Sequence, residues 1–462
     1  MRIFLRIASI YIATLLYIQH THAATFTVSN LNNTGAGSLR QAIANANGAG
    51  AGGHTINFSV SGTIALTSNL PVIINNNITI DGTGQTVVVS ANGADIARYV
   101  FRGDGRADFL TVKNLDIKNT GYEPFKFTGS PTDITIENVS WYNDNGNYLN
   151  FGINFVGNVN GLTVRNVIAR NHQNHGAVIE ITGTATNLLV DNLTFDNTYS
   201  DHYTNAVEVI RVAGAASNCT IQNCNWNLDN GTRVLTMAIM VFYFNNTLSN
   251  SLIKNVEILN CEVYAIYVAG TLNDVDISNI TTTNGDGATN AGGLRFNGIV
   301  TNLNLDTISI NLDHTTNTND GDYGIYFANS ATNVSIDSLV IHDAEIYGIY
   351  VNNAISNFSI SRAVIDNTDG GATQRAINFQ GNVTDLSLQD VVLSGDMSGS
   401  TNDGDYGMYF NSANVVGVTL NNVSFNEYDI DGLRMLEVDD LLINNCTFTN
   451  NYDAIEFSQQ SR

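Results

Sequence analysis

The chain has few positive charges for its length. Lys and Arg together number 19 against 42 Asp and Glu, which gives 462 residues a formal net charge of −23. Because nucleic acids are polyanions, this balance argues against nucleic acid as a partner. Only 13% of the residues are charged, so we expect the acids to be concentrated in loops. The excess of acid fits a soluble exported protein, and divalent-cation binding is the alternative.

Cysteine is also scarce. The spacing of the 4 cysteines matches no zinc motif. The alternation of apolar residues assigns Cys219, Cys224 and Cys446 to the interior, whereas Cys261 follows an Asn. They are therefore interpreted as small core residues. A disulfide bond, for example between Cys224 and Cys261, remains open for an exported chain.

Long hydrophobic runs are absent beyond the first residues. Arg2 and Arg6 precede an apolar stretch, and Thr21-His22-Ala23 resembles a signal-peptidase site. Residues 1–23 are therefore predicted to be a secretory signal, which places the protein outside the cell or on its surface. No later segment approaches the roughly 18 apolar residues of a membrane-spanning helix. We expect no membrane span in the mature chain.

A short phrase recurs from about residue 110 to the end. It reads apolar-x-apolar-x-Asn-apolar-x-apolar-x-Asn, as in ITIENVSWYN from Ile134 and LTVRNVIARN from Leu162, and its copies start every 23 to 33 residues. The apolar residues alternate with a period of two, which is typical of β-strands. A second short strand precedes the phrase, for example YGIYF at Tyr323 and YGIYV at Tyr347. Each copy is therefore one rung of about three short strands.

Stacked rungs enclose one continuous core that a single rung cannot form alone. The sequence predicts an all-β parallel β-helix solenoid of about 13 rungs, with the repeats in residues 85–462. The recurrent Asn suits the turns, since Asn tolerates the left-handed conformation and its amide can bond the same residue one rung away. At Thr307, Ser338, Arg362 and Asp390 the Asn is missing, so we expect the turns there to form by other means.

Residues 24–84 are predicted to form an N-terminal cap and the first strands. GAGSLRQAIANANG from Gly35 reads as a short helix with Ser38 as N-cap and with Leu39 and Ile43 on one face. It would cover the open edge of the first rung. The segments TFTVSNLNNTGAGSLRQAIANAN and HTINFSVSGTIALTSNLPVIINNNITIDGTG resemble the N-terminal region of exported bacterial proteins with the pectate-lyase-like fold.

The resemblance implies a right-handed parallel β-helix, export or surface display, and a likeness to adhesins. It also implies a C-terminal sorting or anchoring domain in many members. This sequence stops inside a rung at AIEFSQQSR, so we expect either that it is a fragment or that an anchor or partner covers its last rung. The Asn-Thr-Asp, Asp-Asp, Gly-His-Gly and Arg-x-Lys motifs of polygalacturonase-type members do not occur in order.

The strand before each phrase yields a predicted column of outward side chains. Within it, Glu180 and Glu208 are predicted to be register neighbours about 5 Å apart, a separation that suits a retaining glycosidase. The loop residues His175 and His202 complete this candidate catalytic group. The alternative is a solvated surface ladder with incidental histidines.

Aromatic residues dominate the second half of the same column. Tyr267, Tyr326, Tyr350 and Tyr409, with Arg295, form a candidate carbohydrate-binding surface on which sugar rings would stack. The alternative is that the tyrosines stack on each other between rungs. Two acidic turns, with Asp320 and Asp322 in one and Asp403 and Asp405 in the other, are candidate calcium ligands, although Asp-Gly is also ordinary turn chemistry. No cofactor is required.

Two functions follow from these patterns. One is a secreted or cell-surface rod that binds carbohydrate or a cell surface, which the duplication of an 83-residue block and the missing catalytic motifs favour. The other is a polysaccharide lyase or glycoside hydrolase working on an extracellular glycan. The fold hosts both kinds of protein, so the sequence favours the rod without deciding the matter.

Overall fold

The predicted solenoid is confirmed. The computed structural model describes residues 23–91, 99–143, 149, 151–170, 176–196, 208–228, 240–261, 263–284, 292–312, 323–344, 346–366, 374–395, 405–412 and 414–458. These residues form an all-β, right-handed parallel β-helix of about 12 turns with one N-terminal helix. Every strand pairing is parallel, each rung pairing with the rung before and after it.

Two sheets make up the coil. Sheet A has 21 strands, many of them long. Its strands are Thr25–Val28, His54–Phe58, Gly62–Ala65, Ile78–Asp81, Val87–Ser90, Thr111–Lys118, Thr132–Tyr142, Val159–Arg170, Ala185–Thr186, Leu189–Asp196, Ala216–Ser217, Thr220–Asn227, Leu248–Cys261, Leu272–Asn284, Val300–Asn311, Ala331–His342, Ile355–Asp366, Val383–Ser394, Val415–Asn426, Asp439–Asn444 and Thr447–Thr449.

Sheet B has 14 short strands and carries the candidate site. Its strands are Tyr99–Gly103, Glu123–Thr128, Ile153–Val156, Ala177–Ile181, Glu208–Val212, Met240–Phe244, Tyr264–Val268, Gly292–Phe296, Tyr323–Phe327, Tyr347–Val351, Arg375–Phe379, Tyr406–Phe410, Asp431–Met435 and Asp453–Phe457.

The left-handed residues divide the long strands of sheet A and so shape each rung. Asn138, Asn166 and Asn192 have φ of 51°, 51° and 57°, as predicted for the turn column. The amide of Asn166 donates to Asn138 Oδ1, and that of Asn192 donates to Asn166 Oδ1, both at 2.9 Å. The predicted Asn ladder therefore exists, and it links consecutive turns of the coil.

At the four positions where the Asn is missing, the chain turns in the same left-handed conformation. The expectation that these turns form by other means is therefore wrong. Thr307, Ser338, Arg362 and Asp390 have φ between 51° and 56°. A left-handed conformation costs about 1–2 kcal/mol for a residue with a Cβ, and pairing with the rungs on both sides imposes it here. Arg362 also forms an ion pair with Asp337 on the preceding rung.

We expect Asn166→Ala to lower the free energy of unfolding by about 2 kcal/mol, because it puts a Cβ-bearing residue without ladder bonds at positive φ. Asn166→Gly is the matched control, since glycine adopts this conformation freely and loses only the hydrogen bonds. Urea unfolding followed by tryptophan fluorescence measures both. Equal losses in the two variants would show that backbone conformation does not matter at this turn.

The N-terminal cap is the predicted helix. It spans Leu39–Gly48, with the Ser38 hydroxyl accepting a hydrogen bond from the Gln41 backbone N–H. Leu39 and Ile43 are buried against the first strands. Of the 4 cysteines, Cys219, Cys224 and Cys261 are buried in the core and Cys446 is partly exposed. The core-residue interpretation is confirmed for Cys219 and Cys224 but not fully for Cys446, and the disulfide between Cys224 and Cys261 is not formed.

Candidate functional site

The outer face of sheet B presents two columns of side chains. In the five-residue strands the first and fourth residues face outward, as Tyr323 and Tyr326 do in Tyr323–Phe327. The second residue faces the interior, since a Cβ on Gly324 would lie 2.6 Å from Ile341 Cδ1 in the opposite sheet. Strict alternation therefore breaks between the second and third residues. We call this surface the sheet B face.

The fourth positions form the predicted column, with one correction. In register it contains Arg102, Lys126, Asn154, Glu180, Arg211, Tyr243, Tyr267, Arg295, Tyr326, Tyr350, Asn378, Tyr409, Arg434 and Glu456. Arg211, not Glu208, is the register partner of Glu180, and Glu208 pairs with Ala177. Because the break in alternation moves Arg211 outward, the expected 5 Å stacking of the two glutamates is wrong.

The first positions form a second column that the sequence reading did not separate. From the middle of the coil onward it contains Glu208, Met240, Tyr264, Gly292, Tyr323, Tyr347, Arg375, Tyr406, Asp431 and Asp453. The two columns run side by side, so Tyr, Arg and carboxylate side chains meet both along and across the rungs. The five residues predicted to bind carbohydrate lie together on this surface.

Tyrosine rings stack on each other in the middle of the sheet B face. The Tyr326 and Tyr350 rings lie 5.0 Å apart, and Tyr347 stacks on Tyr350 at 4.7 Å. Tyr323 contacts Tyr326 at 5.3 Å and Tyr347 at 5.5 Å between ring centroids. The ring faces are therefore covered by other rings, as in the alternative interpretation. Ring edges and hydroxyl groups remain for a ligand.

Two arginines interrupt the tyrosines and are held between their rings. The Arg295 guanidinium lies 4.7 Å from the Tyr326 ring centroid and 5.2 Å from that of Tyr264. Arg375 lies 4.3 Å from the Tyr409 ring centroid. Such cation–π contacts fix a guanidinium in place while its N–H groups stay able to donate.

Amide side chains border the tyrosines on one side. The Tyr350 hydroxyl donates to Asn352 Oδ1 at 2.9 Å, and the Asn297 amide donates to the Tyr267 hydroxyl at 2.6 Å. Burial and the neighbouring phenols raise the pKa of Tyr350 to about 12, so its hydroxyl stays protonated at any physiological pH. The middle of the face is thus a pre-ordered array of hydroxyl, amide and guanidinium groups.

A carboxyl cluster lies on the N-terminal side of the tyrosines. Glu123, Asn154 and Glu180 occupy successive rungs and are 1%, 4% and 6% exposed. Glu123 Oε1 accepts from Lys126 Nζ at 3.2 Å and from Asn154 Nδ2 at 3.0 Å. One oxygen of each of the three residues, Glu123 Oε2, Asn154 Oδ1 and Glu180 Oε2, is buried without a hydrogen-bond partner.

Arg211 lies between two of the carboxyl groups. Its Nε is 3.7 Å from Glu180 Oε1, and its Nη1 is 3.9 Å from Glu208 Oε1. Burial raises the pKa of Glu180 to about 7, against the opposing effect of Arg211. Burial also raises the pKa of Glu123. Glu180 is therefore protonated in a large fraction of molecules at neutral pH.

A similar cluster lies at the C-terminal end of the face. Asp431 is 1% exposed and lies 3.5 Å from Arg434 Nη1, which is also 3.1 Å from Glu456 Oε2. Burial and the neighbouring Glu456 raise the pKa of Asp431 to about 7. The tyrosine–arginine surface is therefore bounded at both ends by an arginine between two carboxyl groups.

Several predicted site residues lie outside the described residues, namely His175, His202, Asp320, Asp322 and Asp403. Asp405 is described and buried, and its Oδ1 accepts the Gln374 backbone N–H at 2.8 Å. That carboxylate braces a turn. In the part of the chain that the structure describes, no group of three or more His, Cys, Asp or Glu side chains is arranged to hold a metal ion. Calcium binding stays a prediction.

Sequence reasoning missed Glu123, Arg375 and Asp431, and strict alternation placed Arg211 on the opposite face of its strand from Glu208. A signal was available for Glu123 and Asp431, because each begins a short strand and has an oppositely charged residue three positions later, Lys126 and Arg434. In the described residues, no helix has the length and hydropathy to cross a bilayer.

No protein-family model and no curated protein matches the sequence. Among solved structures, the chain is similar to an alginate lyase, with a TM-score of 0.43, 11% identity and coverage of 81% of this chain and 87% of that one. It is also similar to an E. coli bacteriophage tailspike protein in complex with a pentasaccharide, with a TM-score of 0.41, 14% identity and coverage of 82% of this chain and 75% of that one. A third similar structure is that of PfbA, a surface adhesin of Streptococcus pneumoniae, with a TM-score of 0.38, 14% identity and coverage of 94% of this chain and 93% of that one.

Proposed function

We propose that the protein is a secreted or cell-surface rod that binds an extended glycan along the sheet B face. The observation that supports this is the continuous tyrosine–arginine–amide array from Tyr243 to Tyr409. It covers seven strands, and at about 4.8 Å per rung it is roughly 30 Å long. A surface of that length matches several sugar units of an extended polysaccharide.

The chemistry of the array suits sugar hydroxyl groups. Sugars offer many hydroxyl donors and acceptors, and precisely placed polar groups of a protein can pair with them. Tyr326, Tyr350 and Arg295 supply such groups, and stacking between rings and guanidinium has already fixed their conformations. Less side-chain entropy is then lost when a ligand binds. Because ring faces are covered, recognition uses phenol hydroxyls and not ring stacking.

We expect the double variant Tyr326→Phe, Tyr350→Phe to bind glycan about tenfold more weakly, since it removes two hydroxyl groups worth roughly 0.5–1.5 kcal/mol each. The rings and their stacking stay. Affinity electrophoresis in gels that contain neutral polysaccharides (xyloglucan, mannan, laminarin) or acidic ones (alginate, polygalacturonate) measures retention. Tyr142→Phe on sheet A is the matched control and should be retained like the wild type.

Two results would contradict this proposal. Wild-type protein that migrates unretarded in every gel would exclude glycan binding. Retention that survives the double Phe variant but is lost in Tyr142→Phe would move the binding surface to sheet A.

A further inference from the structure

We infer that the sheet B face selects a glycan by the spacing of its negative charges, and that its ligand is an acidic heteropolysaccharide with a carboxylate on about every third sugar. Arg295 and Arg375 bind the carboxylates, and the tyrosines between them receive uncharged sugars. The inference rests on the glycan binding proposed above and names the class of glycan.

The two arginines are held by uncharged groups. Arg295 Nε donates to Asn297 Oδ1 at 2.8 Å, and Arg295 Nη1 donates to the Tyr264 hydroxyl at 2.6 Å. Arg375 Nη1 lies 3.5 Å from the Tyr347 hydroxyl. Among the described residues, neither guanidinium forms an ion pair with a carboxylate, and neither Nη2 group has a protein acceptor. These N–H groups are therefore able to bind an outside carboxylate through the planar fork of the guanidinium.

The arginines at the two ends of the array differ in this respect. Arg211 and Arg434 each lie between two carboxyl groups of the protein. The chain has 42 acidic and only 19 basic residues, yet no carboxylate of the described residues approaches the two guanidiniums in the middle. The array therefore carries two positive charges that no described protein group neutralises.

The two guanidinium groups lie near one line that runs along the coil between the two columns of the face. Arg295 comes from the fourth-position column, and its guanidinium lies 5.2 Å from the Tyr264 ring in the first-position column. Arg375 comes from the first-position column, and its guanidinium lies 4.3 Å from the Tyr409 ring in the other column. Because each side chain leans towards the opposite column, one extended sugar chain can contact both.

The arginines are three rungs apart. The strands Tyr323–Phe327 and Tyr347–Val351 lie between the strand of Arg295 and the strand of Arg375. Three rungs at about 4.8 Å each span about 14 Å. Arg211 precedes Arg295 by the same interval. An extended sugar chain advances by roughly one rung per ring, so the two guanidiniums would meet carboxylates about three sugars apart.

The rungs between the arginines disfavour a charge on every sugar. Their outward side chains are Tyr323, Tyr326, Tyr347 and Tyr350, and neither strand contains a charged residue. A carboxylate placed against these phenols would lose water without gaining a cation, which is costly. The net charge of −23 adds repulsion. The face therefore discriminates against a polyuronate as well as against a neutral glycan.

The test varies the charge of one polysaccharide while its backbone stays the same. The polysaccharide that the affinity gels retain most strongly is prepared with carboxyl groups on none, about a third and nearly all of its sugars. Primary hydroxyls are oxidised, or uronates are reduced, to make the series. We expect wild type to bind the one-third form about tenfold more tightly than the uncharged form. The fully charged form should bind more weakly than the one-third form.

The double variant Arg295→Gln, Arg375→Gln should lose this preference. Its binding of the one-third form should fall by about tenfold, while its binding of the uncharged form should match the wild type. The double variant Arg295→Lys, Arg375→Lys keeps the charges without the planar fork and should retain part of the preference. The matched control is Arg165→Gln on sheet A, where Arg165 pairs with Glu137 and Asp191. It should bind all three forms like the wild type.

Charge selection and glycan binding can fail separately. Equal binding of the three forms by wild type would overturn the inference and leave the binding proposal standing. Binding that increases steadily up to the fully charged form would do the same, as would an unchanged preference in the double Gln variant. Wild-type protein that binds none of the forms would overturn both. Loss of the preference in Arg165→Gln alone would place the anion site on sheet A.

Discussion

Trp226→Ala should lower the free energy of unfolding by about 3–5 kcal/mol, the usual cost of truncating a fully buried tryptophan. The Trp226 side chain is 0% exposed, and its ring lies 4.7 Å from that of Phe242 across the interior. Its Nε1 donates to the Leu193 carbonyl on the preceding rung at 3.0 Å. The substitution therefore removes core volume, an aromatic contact and a bond between rungs together.

Asn225→Ala is the matched control for this prediction. Asn225 is the neighbouring residue in the same strand but faces outward, so its replacement should cost less than about 1 kcal/mol. Urea unfolding followed by circular dichroism compares the two variants. The complete unfolding curves are compared, because a repeat array can unfold in stages. A loss below about 1 kcal/mol for Trp226→Ala would contradict a shared dry interior at this rung.

Glu180→Gln should stabilise the protein at pH 8 relative to wild type, by about 3 kcal/mol more than it does at pH 4. Burial raises the folded-state pKa of Glu180 from 4.5 to about 7, and each pKa unit corresponds to about 1.4 kcal/mol. The folded state binds the proton more tightly than the unfolded state. The resulting stability is fully present below about pH 4.5 and is lost as the pH rises through 7. Glutamine cannot ionise and avoids this loss.

The measurement is the difference in unfolding free energy between Glu180→Gln and wild type, taken from urea curves between pH 4 and pH 8. The repulsion among the excess carboxylates of the chain is shared by both proteins and cancels in this difference. The pH 4 value serves as the internal control. A difference that stays constant over the range would mean that Glu180 is not desolvated in the folded protein.

A carboxyl group kept at a cost to stability is itself informative. The burial that raises the pKa of Glu180 works against folding at neutral pH, and Gln would fill the same space without a charge. Strained or desolvated groups of this kind are concentrated at functional sites. The expected stabilisation by Glu180→Gln is what such a site predicts.

The repeat pattern allowed most of the fold to be predicted. The turn column at Asn138, Asn166 and Asn192, the capping helix after Ser38 and the aromatic column containing Tyr326 and Tyr350 were all readable, because stacking forces equivalent residues into equivalent environments. Spacing along one strand decides these features, and a single sequence records that spacing directly.

The partner of Glu180 was not readable in the same way. Strict alternation placed Arg211 inside, yet the second and third residues of each short strand both face the interior, which moves Arg211 outward. That break depends on how the strand enters the sheet after its turn, and a period-two pattern of apolar residues does not predict it. The same break hid Arg375 and Asp431, which are first residues of their strands.

The turns at Thr307 and Arg362 show that the type of a residue does not always predict its backbone conformation. Composition gave no reason to expect a left-handed residue there, since neither side chain favours it. The pairing with neighbouring rungs imposes the conformation regardless of the local residue. Tertiary context overrides local preference where many parallel hydrogen bonds act on one short turn.

Hydroxyl-radical footprinting with mass spectrometry tests the central claim most directly, because it reports which tyrosines a bound glycan covers. Wild-type protein is oxidised with and without the polysaccharide that retains it most strongly in the affinity gels. The sheet B face predicts protection of Tyr326, Tyr350 and Tyr409, with Tyr142 on sheet A oxidised equally in both samples. Protection of Tyr142 with no change at Tyr326 and Tyr350 would contradict the account.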